Sequence, residues 1–190
     1  MILSDTDILA RLDSGDILIE PFDRALLKRN SYLLQLGSEY RRLSSRDLFD
    51  SANPKHYEDY AGELWTGQFV DVEPDTLILA TSSQRVGVGH NLVGVLSGIS
   101  NVARLGVQVH CTSAFVNAGY GMPNDPGHVV FEMATVGGRR VRMYPGTPIC
   151  HLAFLASESP AQSRKPSDRS GQSGPDPSSL FSQFGDFYAR

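Results

Sequence analysis

Residues 128–156 read "HVVFEMATVGGRRVRMYPGTPICHLAFLA". Three apolar runs, HVVFEMATV, RVRMY and PICHLAFLA, are separated by Gly-Gly and Pro-Gly breaks. Runs this short, ended by turn residues, read as strands rather than helices. The theme recurs upstream in GQFVDV (67–72), TLILAT (76–81), NLVGVLSG (91–98) and GVQVHCTSAFV (106–116). Many short strands at this spacing predict an all-β barrel or sandwich from 64 to 156.

Toward the N-terminus the pattern changes. LSDTDILARLDSG (3–15) reads as a short helix. Ser4 can cap it, Ile8, Leu9 and Leu12 share one face, and Gly15 ends it. ILIEPF (17–22) reads as a strand stopped by Pro21, and SYLLQLGSEYRRL (31–43) as another, with Gly37 as a bulge or turn. Residues 44–63 are polar and aperiodic and read as a loop, with or without one helical turn. After Ser157 the chain turns rich in Ser, Pro and Gly, which predicts a flexible arm (157–190) on a single domain (1–156). The arm ends in LFSQFGDFY (180–188), whose four aromatics predict docking, on its own domain or on a neighbouring subunit.

Composition narrows the function. A chain of 190 residues, 41% hydrophobic and 20% charged, suits one domain with a real core. A net charge of −4 argues against a general nucleic-acid binder, for there is no basic surplus to neutralise phosphates. No apolar run approaches a membrane span, and the first residues lack the basic start and apolar centre of a secretory signal. Cys111 and Cys150 do not form a CxxC pair; free, buried thiols in a reducing cytoplasm are the simplest reading, with a disulfide between them as the alternative.

Several chemistries drop out. HYE at 56–58 has no P-C-x-x-C to complete a zinc deaminase site. The five histidines do not form a spaced ligand set, and there is no P-loop and no G-x-S-x-G elbow. His110 and Cys111 are strand neighbours and point to opposite faces. Two small polar residues, Ser100 and Asn101, stand just before Arg104 in LSGISNVARLG (96–106), and Glu132 stands in the run quoted first. By period-two counting, Val130 and Ala134 share the face of Glu132. Both are apolar, so Glu132 is expected to face inward, and an inward carboxylate needs a partner.

The segment Gly98-Ile99-Ser100-Asn101-Val102-Ala103-Arg104-Leu105-Gly106, the strand Val107 to Thr112, the turn Asn117-Ala118-Gly119-Tyr120 and then Glu132 resemble the dCTP deaminase branch of the dUTPase-like superfamily. That branch shows G-R-S-S-x-x-R-x-G, a strand with a His-Thr region, a D-P-G-like turn and a strand carrying Glu. The opening 22 residues, RNSYLLQLGSEYRRL (29–43), YPGTPICHLAFL (144–155) and SGQSGPDPS (170–178) resemble further family segments in order.

The resemblance implies a distorted β-barrel or jelly roll with a short N-terminal helix and an extended C-terminal arm. It implies a homotrimer with sites between subunits, and hydrolytic deamination of a cytosine nucleotide without a catalytic metal, Mg²⁺ only accompanying the phosphates. Glu132 would activate water and pass protons to N3 and the leaving amine. Ser100 would hold the water or a phosphate oxygen. Arg104, from the adjacent subunit, would orient Glu132 and the developing charge. Backbone groups of Thr112, Ser113 and Ala114 would position the base, Asn101 would lie toward the phosphates, Asn117 and Tyr120 toward the sugar, and Gln172 in the arm over the nucleotide.

The chain departs from the pattern at Ile99 for Arg, Asn101 for Ser, Asn117 for Asp, Ala118 for Pro, Leu33 for Asp, and an inserted GMPND at 121–125. Replacing Arg by Ile removes a charge and a bidentate phosphate donor. Arg164, Lys165 or Arg169 of the arm could replace it. Three readings stay open: dCTP deamination with altered phosphate contacts, a different cytosine nucleotide, or a nucleotide-binding scaffold without catalysis. A dUTP pyrophosphatase is the sister activity, and Asn117 in place of the turn Asp speaks against it.

Overall fold

A computed structural model describes residues 1–43, 48–109, 113–162 and 169–188. Ser4 starts the first helix, α1 (Asp5–Asp13): its side chain accepts from the Asp7 N–H while the Asp7 carboxylate accepts from the Ser4 N–H. Ile8 is buried beneath it, and Gly15, at φ 77°, turns the chain out of the helix.

Then come β1 (Ile17–Glu20), a 3₁₀ turn (Arg24–Leu26), β2 (Leu27–Lys28), β3 (Ser31–Leu43), α2 (Pro54–Tyr60), β4 (Ala61–Thr66), β5 (Val70–Val72), β6 (Leu77–Val88) and β7 (Leu92–Gly98). The second half holds α3 (Ser100–Ala103), β8 (Val107–Gln108), β9 (Phe115–Val116), β10 (Gly127–Thr135), β11 (Val141–Met143), β12 (Pro148–Ala156) and α4 (Leu180–Tyr188).

Among the described residues the expected barrel is a curled antiparallel sheet of ten strands. Its path is β8-β10-β6-β3-β12-β7-β9, with β1 on β6 and both β2 and β4 on β3. β5 and β11 form a separate ribbon. There Arg142 grips the Asp71 carboxylate through two nitrogens and holds its pKa down at about 2.

Slips in the ladder bend long strands and add to their twist. The β3–β6 register shifts between Leu36 and Tyr40, around Gly37. A Cβ on Gly37 would lie 2.7 Å from Thr81 Oγ1 and 2.8 Å from its carbonyl oxygen, so only glycine fits. A second slip lies between His128 and Val130 on β10. There the buried Ser82 hydroxyl accepts from the Val129 N–H at 2.9 Å, satisfying a donor the slip leaves over. Tyr32, Tyr40, Phe131 and Phe154 are the largest fully buried side chains. Each such ring contributes about 1.5–3 kcal/mol through burial.

Within 44–63, read as a loop with or without one helical turn, the described residues hold a longer helix and the start of a strand. Asn53 caps α2, accepting from the Lys55 N–H, with Pro54 at its first position. The Phe49 ring gathers Tyr57 and Tyr60, each 4.9 Å away, and His56. β4 then pairs with β3. The run GVQVHCTSAFV holds two short strands, β8 and β9, and its residues 110–112 lie outside the described residues.

Cys150 is a buried free thiol, which burial pushes up to about 12; Cys111 lies outside the described residues. Among the described residues no helix is long and apolar enough to cross a membrane. The arm lies against its own chain: Ser157 N–H donates to Asn91 O, Ala161 N–H to His90 O, and the Phe181 ring stands 6.2 Å from Tyr57.

Candidate active site

β10 sorts its side chains by alternation. Gly127, Val129, Phe131 and Met133 are buried, while His128, Val130, Glu132 and Ala134 are half-buried on the other face. The face expected to point inward is therefore that of a cavity, not of the core. The cavity measures about 550 Å³. Glu132 stands on its wall opposite Leu79 of β6, with Leu77 and Leu43 beside it.

The far end is polar and rigidly tied. The turn 117–120 closes with the Tyr120 N–H on Asn117 O at 3.1 Å. Two backbone bonds of 2.8 Å, Gly119 N–H to Val88 O and Val88 N–H to Tyr120 O, pin the turn to β6. The His90 ring packs where a Cβ of Gly119 would be, 2.6 Å away, and Gly119 has φ 85°; both demand glycine. The Tyr120 hydroxyl donates to His128 O at 3.0 Å. Burial, helped by the Asp125 charge, pushes its pKa up to about 12, which keeps it a donor.

The arm covers this end. His128 N–H donates to Gln172 O at 2.8 Å, so Gln172 joins the strand by its backbone. Its side chain turns to Gly174 O. Arg41 anchors the next residues, donating from Nε to Pro175 O at 3.0 Å and from Nη1 to Gly62 O at 2.6 Å. Arg169 donates to Pro177 O and Ser179 Oγ. Asp176, Pro177 and Ser178 thereby line the cavity, with Tyr60 of α2 beside them.

Of the residues expected from sequence, Glu132, Ser113, Asn117, Tyr120, Gln172 and, of the arm's cations, Arg169 line this one cavity, while Arg164 and Lys165 lie outside the described residues. Ala114 does not; its carbonyl accepts from the Leu96 N–H at 2.7 Å. Thr112 lies outside the described residues. Ser100 and Asn101, in α3, and Arg104, which ends it, are exposed and absent from the lining of their own chain's cavity. Tyr60 and His128 also line the cavity, and the sequence reading named neither. Counting back from Glu132 by twos reaches His128, so periodicity alone could have found it; nothing local marks Tyr60.

The chain matches the family described as dCTP deaminase-like over residues 2–157. It is 30% identical over 192 residues to the "dCTP deaminase, dUMP-forming" of Corynebacterium efficiens, covering 97% of this chain and 96% of that protein. With the protein of that name from Methanoregula boonei it shares 33% over 158 residues, 83% of this chain and 84% of the other. The crystal structure of 2'-deoxycytidine 5'-triphosphate deaminase from Agrobacterium tumefaciens superimposes with a TM-score of 0.63 at 15% identity. That match covers 82% of this chain and 48% of the other, so here the chain spans about half of its neighbour's length, and the likeness bears on the fold. With its family segments in order along nearly the whole length, the chain belongs to the dCTP deaminase-like family.

Proposed function

We propose that this protein hydrolytically deaminates dCTP and carries the product on to dUMP, as the names of its full-length relatives indicate for those proteins. The observation that carries the reading is Glu132, on an apolar wall of a nucleotide-sized cavity whose other end is polar. Glu132 takes a proton from water as its oxygen attacks C4 of the base. It returns protons to N3 and to the exocyclic nitrogen, which leaves as ammonia. Water attack at the phosphorus next to the sugar then releases pyrophosphate. Asn117 and Tyr120 meet the sugar, Ser113 the base, and Gln172 closes the arm.

Ser100, Asn101 and Arg104 complete the site of an adjacent copy in a homotrimer, with Arg104 steadying the developing charge. Their exposure and their absence from their own chain's cavity support this arrangement. Mg²⁺ enters with the phosphates, and the enzyme works in the cytoplasm. The test incubates the protein with dCTP, dCMP and CTP, follows loss of the cytosine absorbance, and separates ammonia, dUTP, dUMP and pyrophosphate. Turnover of dCTP to dUMP is expected. Accumulating dUTP would remove the second step, and no turnover of any cytosine nucleotide would remove the enzyme.

A further inference from the structure

His128 occupies the cavity face of β10, four residues before Glu132. Its Nδ1 lies 2.7 Å from Ser82 O. A carbonyl only accepts, so Nδ1 carries the hydrogen, and Nε2 is the ring nitrogen left for the cavity. The residue is fixed on three sides: Nδ1 on Ser82, its N–H on Gln172 O and its carbonyl under the Tyr120 hydroxyl. A side chain held this firmly is prepared for a ligand.

Its place along the strand suggests which part of a ligand. Four strand residues span about 13 Å, comparable to the reach from a pyrimidine C4 to the phosphates. With the base at Glu132, the phosphates come to His128. Among the described residues that line the cavity, Arg169 and His128 are the ones able to carry positive charge, and both lie at this end. Arg85 is the cross-strand partner of His128 on β6, and its guanidinium stands 4.0 Å from Asp125, the acid of the neighbouring turn. The family's Arg is Ile99 here and its Ser is Asn101. A phosphate subsite that lost those donors needs others.

We infer that His128 is a phosphate-binding residue of this cavity: as the imidazolium, with both ring nitrogens carrying hydrogen, it keeps the Nδ1 bond to Ser82 O and donates through Nε2 to the phosphate next to the sugar. The inference rests on the nucleotide reading above. Its test compares Glu132→Gln protein, which holds substrate without consuming it, with the same protein carrying His128→Asn or His128→Gln. The ligands are dCTP and deoxycytidine, followed by ligand-observed NMR. Asn reproduces the Nδ1 donor to Ser82 and removes Nε2; Gln reaches the Nε2 position and abandons Ser82.

His128→Asn is expected to weaken dCTP about 10- to 100-fold, the effect of one charge-assisted hydrogen bond. Deoxycytidine should change less than about twofold, and His128→Gln should retain most of the dCTP affinity. A purely structural His128 gives the reverse order, Asn harmless and Gln harmful, and overturns the inference. Equal weakening of both ligands overturns the phosphate assignment. If the Glu132→Gln protein binds neither ligand, the nucleotide reading falls and takes this inference with it; normal binding with no effect at position 128 defeats the inference alone.

Discussion

The wall around β10 and the corner around α3 carry the two halves of one sequence motif, and they are built differently. β10 is paired with β6 along most of its length and with β8 at its end. Its alternate residues are buried, so the height and direction of Glu132 are set from both sides. α3 has four residues, no side-chain cap at Ile99, and a single buried residue, Val102. It presents Ser100, Asn101 and Arg104 to the outside. The wall holds a group in place within one chain; the corner leaves its polar groups exposed.

The sharpest way to break that contrast uses both halves at once. Glu132→Gln should lower kcat on dCTP by about 10²- to 10⁴-fold, the usual worth of a general acid–base, and Arg104→Ala should cripple turnover as well. Co-expressed in equal amounts, the two inactive variants should regain activity at roughly a quarter of sites, those pairing an intact wall with an intact corner from different copies in a cyclic assembly. No recovery would mean that both halves act within one chain.

Stability should divide the same way. Phe131→Ala, in the fully buried row of the wall, should cost about 3–5 kcal/mol in guanidinium unfolding. Leu105→Ala, just after α3 and 48% exposed, should stay within about 0.5 kcal/mol. A large loss at Leu105 in the monomeric state would show the corner to be as firmly built as the wall.

Arg41→Met tests how the arm is tied to the wall. It removes the bonds to Pro175 and Gly62. KM for dCTP should rise about tenfold, with kcat less affected, as the loss of one charged hydrogen bond predicts. An unchanged KM would detach the arm from substrate binding.

The smallest effect at neutral pH is alkaline. Tyr40 and Tyr120 are pushed up to about 12 from an ordinary 10.0, mainly by burial. Between those values the unfolded chain has lost its tyrosine protons while the fold keeps them, so stability falls as pH rises from 10 to 12 and is complete below. Cys150, pushed to about 12 from 9.0, starts the decline earlier. Unfolding midpoints measured from pH 8 to 12 should show it, and Tyr120→Phe should flatten it.

Much of this was legible. Ser4 and Gly15 bracket α1 because caps are local chemistry, and β3 runs from Ser31 to Leu43 as its apolar spacing indicates. Glu132 could be assigned a face because strand alternation needs no knowledge of partners. α2 was harder. Asn53-Pro54 is a start signal, but no residue of the helix is buried, so no apolar stripe marks it; it rests on Phe49 instead. The resemblance put Gln172 over the site, but its bond to β10 was not legible in the sequence, since the Gln172 carbonyl meets the His128 N–H through backbone atoms that every residue shares.

Local pattern thus determined most strands, the caps, the turn glycines and the face of Glu132, because each depends on neighbours a few residues away. Only the tertiary structure showed that Glu132, Asn117, Tyr120 and Gln172, grouped beforehand by resemblance alone, line one cavity, that His128 and Tyr60 join them, and that Arg104 is exposed. The physical reason is that a slipped ladder and a docked arm bring together groups whose separation along the chain carries no signal.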